Sequence, residues 1–287
     1  MISQSEIVYI QDGIKQGIRT DGRGCDALRP MTIDLGVVPT ANGSCRVRSK
    51  ACDVFVAIKC EIGVPDSVKP DQGIVNVSVE FGCSVIVRVS DMSGRQSAIE
   101  SETWADVLAN QVQSMCLQSV DLKHFCIESK RACWVVSIDI LVERVDGPLI
   151  DPISVGIRAA MMNLELPIVS LPPPEEENGS ELFPKVDLVG GLWKLKPENM
   201  SAICVSVGVF CDSTVIVVDL DRTEETLAKS ANNSLITLSV TEDSKCFGIH
   251  KWGTGVVDPT ILQSLISSAS LVGKQIGSIM TKLVAAA

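Results

Sequence analysis

Apolar side chains recur along the chain in two periods, one typical of strands and the other of helices. In the first half, runs rich in valine and isoleucine, separated by glycine, proline and aspartate, predict strands at 44–50, 54–62, 74–89 and 133–142. Residues 98–117 instead place apolar side chains at helical spacing, and a second helix is predicted over 153–164. The first helix should bury Trp104, Val107, Leu108, Val112, Met115 and Cys116.

The second half repeats this order of strands followed by a helix. Strands are predicted at 202–210, 214–219, 234–240 and 245–250. Asp258 and Pro259 then supply an N-cap and a first helical residue for a terminal helix. That helix should bury a stripe formed by Ile261, Leu262, Leu265, Ile266, Val272, Ile276, Ile279 and Leu283.

Between the halves, residues 167–197 lose this periodicity and contain the acidic, proline-rich stretch 172–181. We interpret them as a surface linker between a first subdomain over 1–166 and a second subdomain over 198–287. The blocks of strands and helices predict the α+β class, with helices packed on mixed or antiparallel sheets.

One turn has the position of an anion-binding site. The sequence R-V-D-G-P-L-I-D-P (144–152) joins the predicted strand 133–142 to the predicted helix 153–164. The first turn of a helix offers unpaired N–H groups and the positive end of the helix dipole, and both favour an anion.

The side chains of this turn do not match its position. Asp146 and Gly147 suit a tight turn, and Asp151 should cap the helix ahead of a proline. Leu149 and Ile150 lie in the middle, where a phosphate site needs groups that donate hydrogen bonds. The sequence therefore leaves open whether this is a binding site or a site that has lost its chemistry.

Composition limits the classes of protein that fit. The 287 residues are 46% hydrophobic and 21% charged, which is typical of a globular protein of one large or two small domains. No apolar run approaches the length of a membrane span, and the N-terminus lacks the pattern of a signal peptide, so we expect an intracellular protein without membrane contact.

Charge is unevenly distributed along the chain. The net charge of −10 argues against a protein that coats nucleic acid with its whole surface, although a local basic patch remains possible. Acidic residues gather at 175–177 and 219–225, and the first fifty residues hold Arg19, Arg23, Arg29, Arg46, Arg48 and Lys50. Taken singly, each is interpreted as solvated surface charge.

The eleven cysteines do not form a metal or disulfide pattern. None are spaced C-x-x-C, and the two histidines are distant in sequence, so we predict reduced thiols and no metal or cofactor. Several cysteines lie in strand-like runs, where the side chain acts as a small hydrophobe: Cys45, Cys60, Cys83, Cys133 and Cys204.

Sequence motifs of common active sites are absent. The chain has no G-x-S-x-G, no Walker A sequence and no G-x-G-x-x-G. Residues 253–255 (G-T-G) could hold a phosphate, but a tight turn before a capped helix explains them as well. Asp219, Asp221, Glu224 and Glu225 follow a strand and look solvated. The residues alone thus give little sign of an active site.

Several segments, in order, resemble the RNase PH family of phosphorolytic exoribonucleases and their exosome relatives. Arg19, Asp21, Gly22 and Arg23 match the family's opening R-x-D-G-R. Further similar pieces are A-N-G-S-C-R-V-R (41–48), A-C-D-V-F-V-A-I-K-C-E-I-G-V-P (51–65), V-D-L-K-H-F-C-I (120–127), C-W-V-V-S-I-D-I-L-V (133–142), D-G-P-L-I-D-P-I-S-V-G-I-R-A-A (146–160) and K-W-G-T-G-V-V-D-P (251–259). Together they span nearly the whole chain.

The resemblance implies a fold of two S5-like halves, each a mixed sheet packed with helices, and it implies that the catalytic site is lost. Active members hold phosphate with an arginine and hydroxyls in the turn that corresponds to 146–151, where this chain has Leu149 and Ile150. They also carry a pair of aspartates in the region of 195–207, where Glu198 is the only acid. Arg95 alone remains in the helix-entry segment 93–100, where active relatives have several arginines. No catalytic residues are therefore expected.

By resemblance, the chain is a non-catalytic subunit of the exosome's hetero-hexameric ring, which supports 3′-to-5′ RNA processing and degradation. The implied partners are other RNase PH-like subunits, S1/KH-type cap subunits, a separate nuclease and single-stranded RNA, in the nucleus (including the nucleolus) and the cytoplasm. The predicted RNA-binding residues are Arg95, Lys123, Lys130, Arg131 and Arg144. The alternatives are an active phosphorolytic exoribonuclease with a rearranged site and an unrelated metabolic enzyme on an S5-like fold.

Overall fold

The structure is a computed structural model of the 287-residue chain. It describes residues 4–50, 52–82, 85, 98–171, 191–196, 200–210, 215–230, 233–253 and 255–286. The strands are β1 (Met31–Leu35), β2 (Gly43–Ser49), β3 (Asp53–Gly63), β4 (Ile74–Phe81), β5 (Cys126–Glu128), β6 (Ala132–Arg144), β7 (Glu165–Pro167), β8 (Leu192–Lys194), β9 (Ile203–Phe210), β10 (Val215–Val218), β11 (Ser234–Val240) and β12 (Cys246–Trp252). The described α-helices are α1 (Gln4–Lys15), α2 (Ala98–Met115), α3 (Ile150–Met162), α4 (Arg222–Ala228) and α5 (Leu262–Ala286).

Two larger sheets organise the molecule. The first has the order β1-β2-β3-β6-β4, with β5 also paired to β6, and it is mixed because β4 runs parallel to β6. The second has the order β10-β9-β11-β12, and all of its pairings are antiparallel. The predicted α+β class is confirmed, with one mixed and one antiparallel sheet.

Helix α3 joins the two sheets. It contacts β2 and β3 of the first sheet and β9 of the second. Ile153 and Ile157 of this helix are fully buried. The main hydrophobic core therefore includes residues from both halves of the chain.

Helix α1 was not predicted, although Ile7, Ile10 and Ile14 recur at helical spacing. Ile10 and Ile14 pack in a second core cluster with Phe210, Val217, Leu220 and Leu227 of the second half. The start of the chain thus completes the packing of its C-terminal half. The predicted subdomain bounds stay a prediction.

The predicted strand 74–89 is too long. Strand β4 ends at Phe81, and Val85, whose N–H donates to the Gly82 carbonyl at 2.9 Å, is buried in helical conformation. The strand therefore does not continue through Val85, and residues 83, 84 and 86–89 lie outside the described part of the chain.

The predicted linker 167–197 has strands at its ends. β7 pairs with β8, and Leu166 of β7 is fully buried while Trp193 of β8 packs edge-on against Phe125. The pairing of three residues is too short to give a periodic signal. The whole acidic, proline-rich stretch 172–181 lies outside the described residues.

Both long predicted helices exist, but their buried stripes were predicted inexactly. In α2 the packed stripe runs through Ala105, Leu108, Val112 and Met115, whereas Trp104 and Val107 flank it and are about half exposed. In α5 the buried stripe is Leu265, Ala269, Val272, Ile276 and Met280, and Ile279 and Leu283 are exposed. The predicted cap is confirmed: the Asp258 side chain accepts from the Thr260 N–H at the 3₁₀ turn that precedes α5.

Candidate functional site

Apolar side chains that pack into the protein's core fill the turn between β6 and α3. Helix α3 starts at Ile150, earlier than predicted, with Leu149 in the N-cap position and no side-chain cap. The Ile150 side chain is buried in the core and that of Leu149 packs against it. Gly147 has φ +137°, and a Cβ there would lie 2.7 Å from the Leu220 carbonyl oxygen. The turn is therefore pressed against the second half of the chain and presents no donor side chain.

Asp151 does not cap α3, contrary to the prediction. Its carboxylate lies in the first turn and accepts two hydrogen bonds from Ser206 of β9, from the N–H at 2.8 Å and from the hydroxyl at 2.7 Å. The serine hydroxyl is also 3.1 Å from the hydroxyl of Thr237. The Asp151 side chain thus occupies the helix N-terminus, where the dipole would favour an external anion, and it links the two halves.

A cavity of only about 50 Å³ adjoins the turn. Its lining includes Arg29, Asp146, Asp151, Cys204 and Asp219. The Arg29 guanidinium is already bound to Asp219, with Nη2 2.6 Å and Nε 2.9 Å from Oδ1. The remaining charged groups are carboxylates, so the cavity offers a phosphate little space and no free cation among the described residues.

The signature at 19–23 has a structural role. Arg19 is 3% exposed and donates to both carboxylate oxygens of Glu224, at 2.9 and 2.6 Å, and to the carbonyls of Val218 and Asp219. Glu224 is 1% exposed. The interpretation of these two residues as solvated charge was wrong, because each neutralises the other inside the protein.

Arg23 and Arg29 complete the same cluster around Asp219. Arg23 Nη1 lies 2.9 Å from the Asp219 carboxylate and its Nε lies 2.6 Å from Asp21. The Arg29 N–H donates to Asp219 at 2.6 Å. Asp219 adopts φ +52°, a conformation rare outside glycine, which aspartate tolerates better than most residues. We call the set of Arg19, Arg23, Arg29, Asp219 and Glu224 the arginine clamp.

Helix α4 was missed, and with it the environment of Glu224. Asp221 caps this helix in a capping box, since its side chain accepts from the Glu224 N–H while Glu224 accepts from the Asp221 N–H. The spacing D-x-x-E was a usable signal in the sequence. The pairing with Arg19, across about two hundred residues, had no such signal.

In the segment 195–207, where the resemblance predicts an aspartate pair, the described residues include no Asp or Glu. Glu198 lies outside the described residues, and Ser201 and Ser206 are buried. The described carboxyl group that is hydrogen-bonded to this segment is that of Asp151, which belongs to the first half of the chain and accepts from Ser206. Close backbone packing accounts for the two described glycines of the segment 253–255: a Cβ on Gly253 would lie 2.9 Å from the Lys229 carbonyl, and one on Gly255 would overlap the Asn233 backbone.

Three of the predicted RNA-binding residues lie together, and one lies apart. Lys123 Nζ is 3.6 Å from Asp71, and the Lys130 N–H donates to the carbonyl of the adjacent Pro70. Arg131, just before β6, donates to both carboxylate oxygens of Glu128. Carboxylates thus partly neutralise this group, whose RNA contacts stay a prediction.

Arg144 lies at the opposite end of β6, where it donates to the Ser49 carbonyl at 2.7 Å. At about 3.3 Å per residue, this thirteen-residue strand separates it from Arg131 by roughly 40 Å. A short groove cannot contain both. Arg95 falls outside the described residues.

The nine cysteines in the described part of the chain are free. The Sγ atoms of Cys116 and Cys204 are 3.5 Å apart, and the hydrogen bond with Cys116 and burial raise the pKa of the Cys204 thiol. Burial raises the pKa of Cys45 and of Cys60 to about 12. Such thiols are poor nucleophiles. Cys83 lies outside the described residues, and within them no three His, Cys, Asp or Glu residues form a possible metal cluster.

Comparison with known families and proteins agrees with this geometry. Residues 27–167 match the RNase PH family model described as "3′ exoribonuclease family, domain 1". Residues 27–167 of the chain therefore carry an RNase PH domain. The sequence resemblance on 146–160, which lies inside this match, is thereby confirmed.

Three curated proteins that are similar to this chain carry the name Rrp42. The chain is 27% identical over 262 residues to "Exosome complex component Rrp42" of Methanopyrus kandleri, covering 90% of this chain and 88% of that protein. It is 32% identical over 169 residues to the protein of that name in Methanocella arvoryzae, covering 58% and 62%. It is 26% identical to "Putative exosome complex exonuclease RRP42" of Dictyostelium discoideum, covering 98% and 97%.

Solved structures share the fold. An archaeal exosome core chain superposes with a TM-score of 0.68 at 23% identity, covering 96% of both chains. A chain of the Archaeoglobus fulgidus exosome with RNA bound to the active site gives 0.69 at 24% identity, covering 95% of this chain and 96% of that one. The RNase PH-type α+β fold is thus confirmed over almost the whole length. No described helix combines the length and apolar character needed to cross a bilayer.

We expect Asp151 to make stability depend on pH. Burial raises its folded-state pKa to about 7, partly opposed by the Ser206 hydrogen bonds, whereas the unfolded value is about 3.9. The stabilisation from the bound proton is complete below pH about 4 and is lost as the pH rises through 7. As the pH rises from 5 to 8, the free energy of unfolding of the wild type should fall by on the order of 2 kcal/mol relative to that of Asp151→Asn.

Urea unfolding of both proteins at several pH values measures this difference. Asp34→Asn, which removes an exposed carboxylate paired with Arg48, is the control and should follow the wild type. Parallel pH profiles for the wild type and Asp151→Asn would contradict the assignment.

Proposed function

We propose that this protein is a non-catalytic subunit of the ring of an RNA exosome core, where it supports 3′-to-5′ RNA processing and degradation as part of the architecture. Relatives named as exosome components, matched over 88% or more of their length in two cases, support the assembly. The observation that carries the non-catalytic role is the turn at 146–151, filled by Leu149 and Ile150 and followed by the carboxylate of Asp151.

Phosphorolysis needs positive or hydrogen-bonding groups aimed at charge that develops on phosphorus. At the described turn, aliphatic side chains replace those groups, and the Asp151 side chain, held by Ser206, occupies the start of the helix. Arg29, the nearest guanidinium in the cavity lining, is held by Asp219. These features support binding and guidance of RNA as the contribution of this subunit, with the chemistry performed by a separate nuclease.

The proposed partners are other RNase PH-like subunits, S1/KH-type cap subunits, the nuclease and single-stranded RNA, in the nucleus and the cytoplasm. Native mass spectrometry of the tagged protein, purified gently from its own cells, tests this assembly. We expect a large complex with several RNase PH-like proteins. Recovery as a lone chain or as a small homo-oligomer would overturn the proposal.

The alternative function is an active phosphorolytic exoribonuclease with a rearranged site. It is favoured by the word "exonuclease" in the name of the Dictyostelium relative. An active enzyme would have to bind phosphate without a donor side chain from Leu149 or Ile150.

We predict that the purified chain releases no nucleoside diphosphates from single-stranded RNA in the presence of phosphate and Mg²⁺. The reason is the missing anion site at the turn. Chromatography of the products measures the nucleoside diphosphates that are released. Each gel-filtration fraction across the protein's peak is assayed for this activity. Release that follows the protein peak and requires phosphate would establish the alternative.

A further inference from the structure

A second cavity lies between the end of α1 and the arginine clamp. Its volume is about 230 Å³, and its walls include Tyr9, Ile10, Ile14 and Ile18. Ile10 and Ile14 are buried, whereas Tyr9 is 74% and Ile18 62% exposed. Large apolar side chains with that exposure, beside a cavity, are typical of a surface that binds another molecule.

The local sequence fixes this shape. Helix α1 ends in a Schellman motif, in which the Ile18 N–H donates to the Gly13 carbonyl at 2.9 Å and the Gly17 N–H donates to the Ile14 carbonyl at 3.0 Å. Gly17 has φ +73°, as this motif requires, and a Cβ on Gly13 would lie 2.9 Å from the Ile18 carbonyl oxygen. Two glycines thus hold Ile18 at the edge of the cavity, so the apolar wall is preformed.

The polar side of the cavity is electronegative. The C-terminal end of α1 carries the negative end of the helix dipole, and Asp12 lines the cavity with its side chain 58% exposed. Arg19 and Glu224, which also line it, neutralise each other at 2.6 Å. Lys15 is an exposed partner of Asp12 at 3.5 Å, a weak pair in water. A cationic group is therefore favoured over an anionic one.

We infer that this cavity is a docking site for a partner protein, which directs an arginine or lysine side chain towards the end of α1 and lays a neighbouring apolar side chain against Tyr9 and Ile18. The exposed tyrosine ring adds a face on which a guanidinium can stack. The inference rests on the proposed function for the partner's identity, another subunit of the same complex. The chemistry of recognition rests on the cavity alone.

The chemistry is tested first on the full chain by itself. Two probes, N-acetyl-Leu-Arg-amide and N-acetyl-Leu-Glu-amide, are titrated into ¹⁵N-labelled protein and followed by NMR. The arginine probe should shift the amide signals of Gln16, Ile18 and Thr20, and the glutamate probe should not. Ile18→Lys should weaken binding roughly tenfold, since it removes apolar contact and repels the cation.

Val68→Lys is the matched control, because Val68 is 81% exposed on the loop between β3 and β4 and should leave the titration unchanged. Circular dichroism checks that both variants are folded. Equal shifts with the two probes, or none with either, would overturn the inference.

The partner is tested in the assembly purified from cells. Ile18→Lys should lose at least one subunit that the wild type and Val68→Lys both retain. Unchanged composition in Ile18→Lys would overturn the inference and leave the proposed function intact. A wild-type chain recovered alone would overturn the proposed function, and the dipeptide titration would still decide whether the cavity binds a cation.

Discussion

Replacing Arg19 with alanine should destabilise the folded protein by about 3–5 kcal/mol, because it leaves the Glu224 carboxylate buried without its counter-ion. The guanidinium also satisfies the carbonyls of Val218 and Asp219, which would lose those bonds. Urea unfolding followed by circular dichroism measures the change.

Two further variants make this result specific. Arg48→Ala removes an arginine whose pair with Asp34 is about half exposed on both sides, and it should cost less than about 1 kcal/mol. The double variant Arg19→Ala with Glu224→Ala should be more stable than Arg19→Ala alone, since no uncompensated charge remains. If Arg19→Ala lost no more stability than Arg48→Ala, the result would contradict the buried ion pair of Arg19 with Glu224.

Gly43→Ala should cost about 3 kcal/mol or more through overpacking. A Cβ on Gly43 in β2 would lie 2.5 Å from the Ala160 carbonyl oxygen and 3.1 Å from Leu164 Cα. Both are backbone atoms of α3 and the residues just after it, so neither can move without shifting the helix that joins the two sheets. The denaturation midpoint is the measurement.

Gly248→Ala is the control, because its Cβ would meet only the Ser239 side chain, at 3.9 Å. This substitution, also within a strand, should change stability by less than about 0.5 kcal/mol. Equal effects of the two substitutions would show that the approach of α3 to β2 is not as close as described. The same approach explains why position 43 is a glycine.

Local patterns predicted the strands well where one face is buried. β2, β3, β6 and β11 lie within two residues of their predicted bounds, because valine, isoleucine and other apolar side chains recur along each of them. The helix α1 also had its signal in the spacing of Ile7, Ile10 and Ile14. Three isoleucines at these intervals are typical of an amphipathic helix.

Long-range pairings could not be predicted in this way. Nothing near Arg19 in sequence indicates that its partner is Glu224, and nothing near Asp151 indicates Ser206. A charged residue at the surface and one in a buried pair have the same local sequence, because the difference lies in what the fold brings next to them. The resemblance located the important segments, but it did not show that the 19–23 signature is a structural clamp.

The arginine clamp also determines when folding of the molecule can be completed during its synthesis. Arg19 and Glu224 are 205 residues apart, so the N-terminal segment leaves the ribosome long before its binding surface exists. At about 5–20 residues per second, this delay is roughly 10 to 40 s. Throughout that time Ile10 and Ile14 of α1 have no second-half core to pack against. These apolar side chains of the nascent chain therefore lack their packing partners until the second half has been synthesised. Chaperones would bind such exposed apolar surface during this interval.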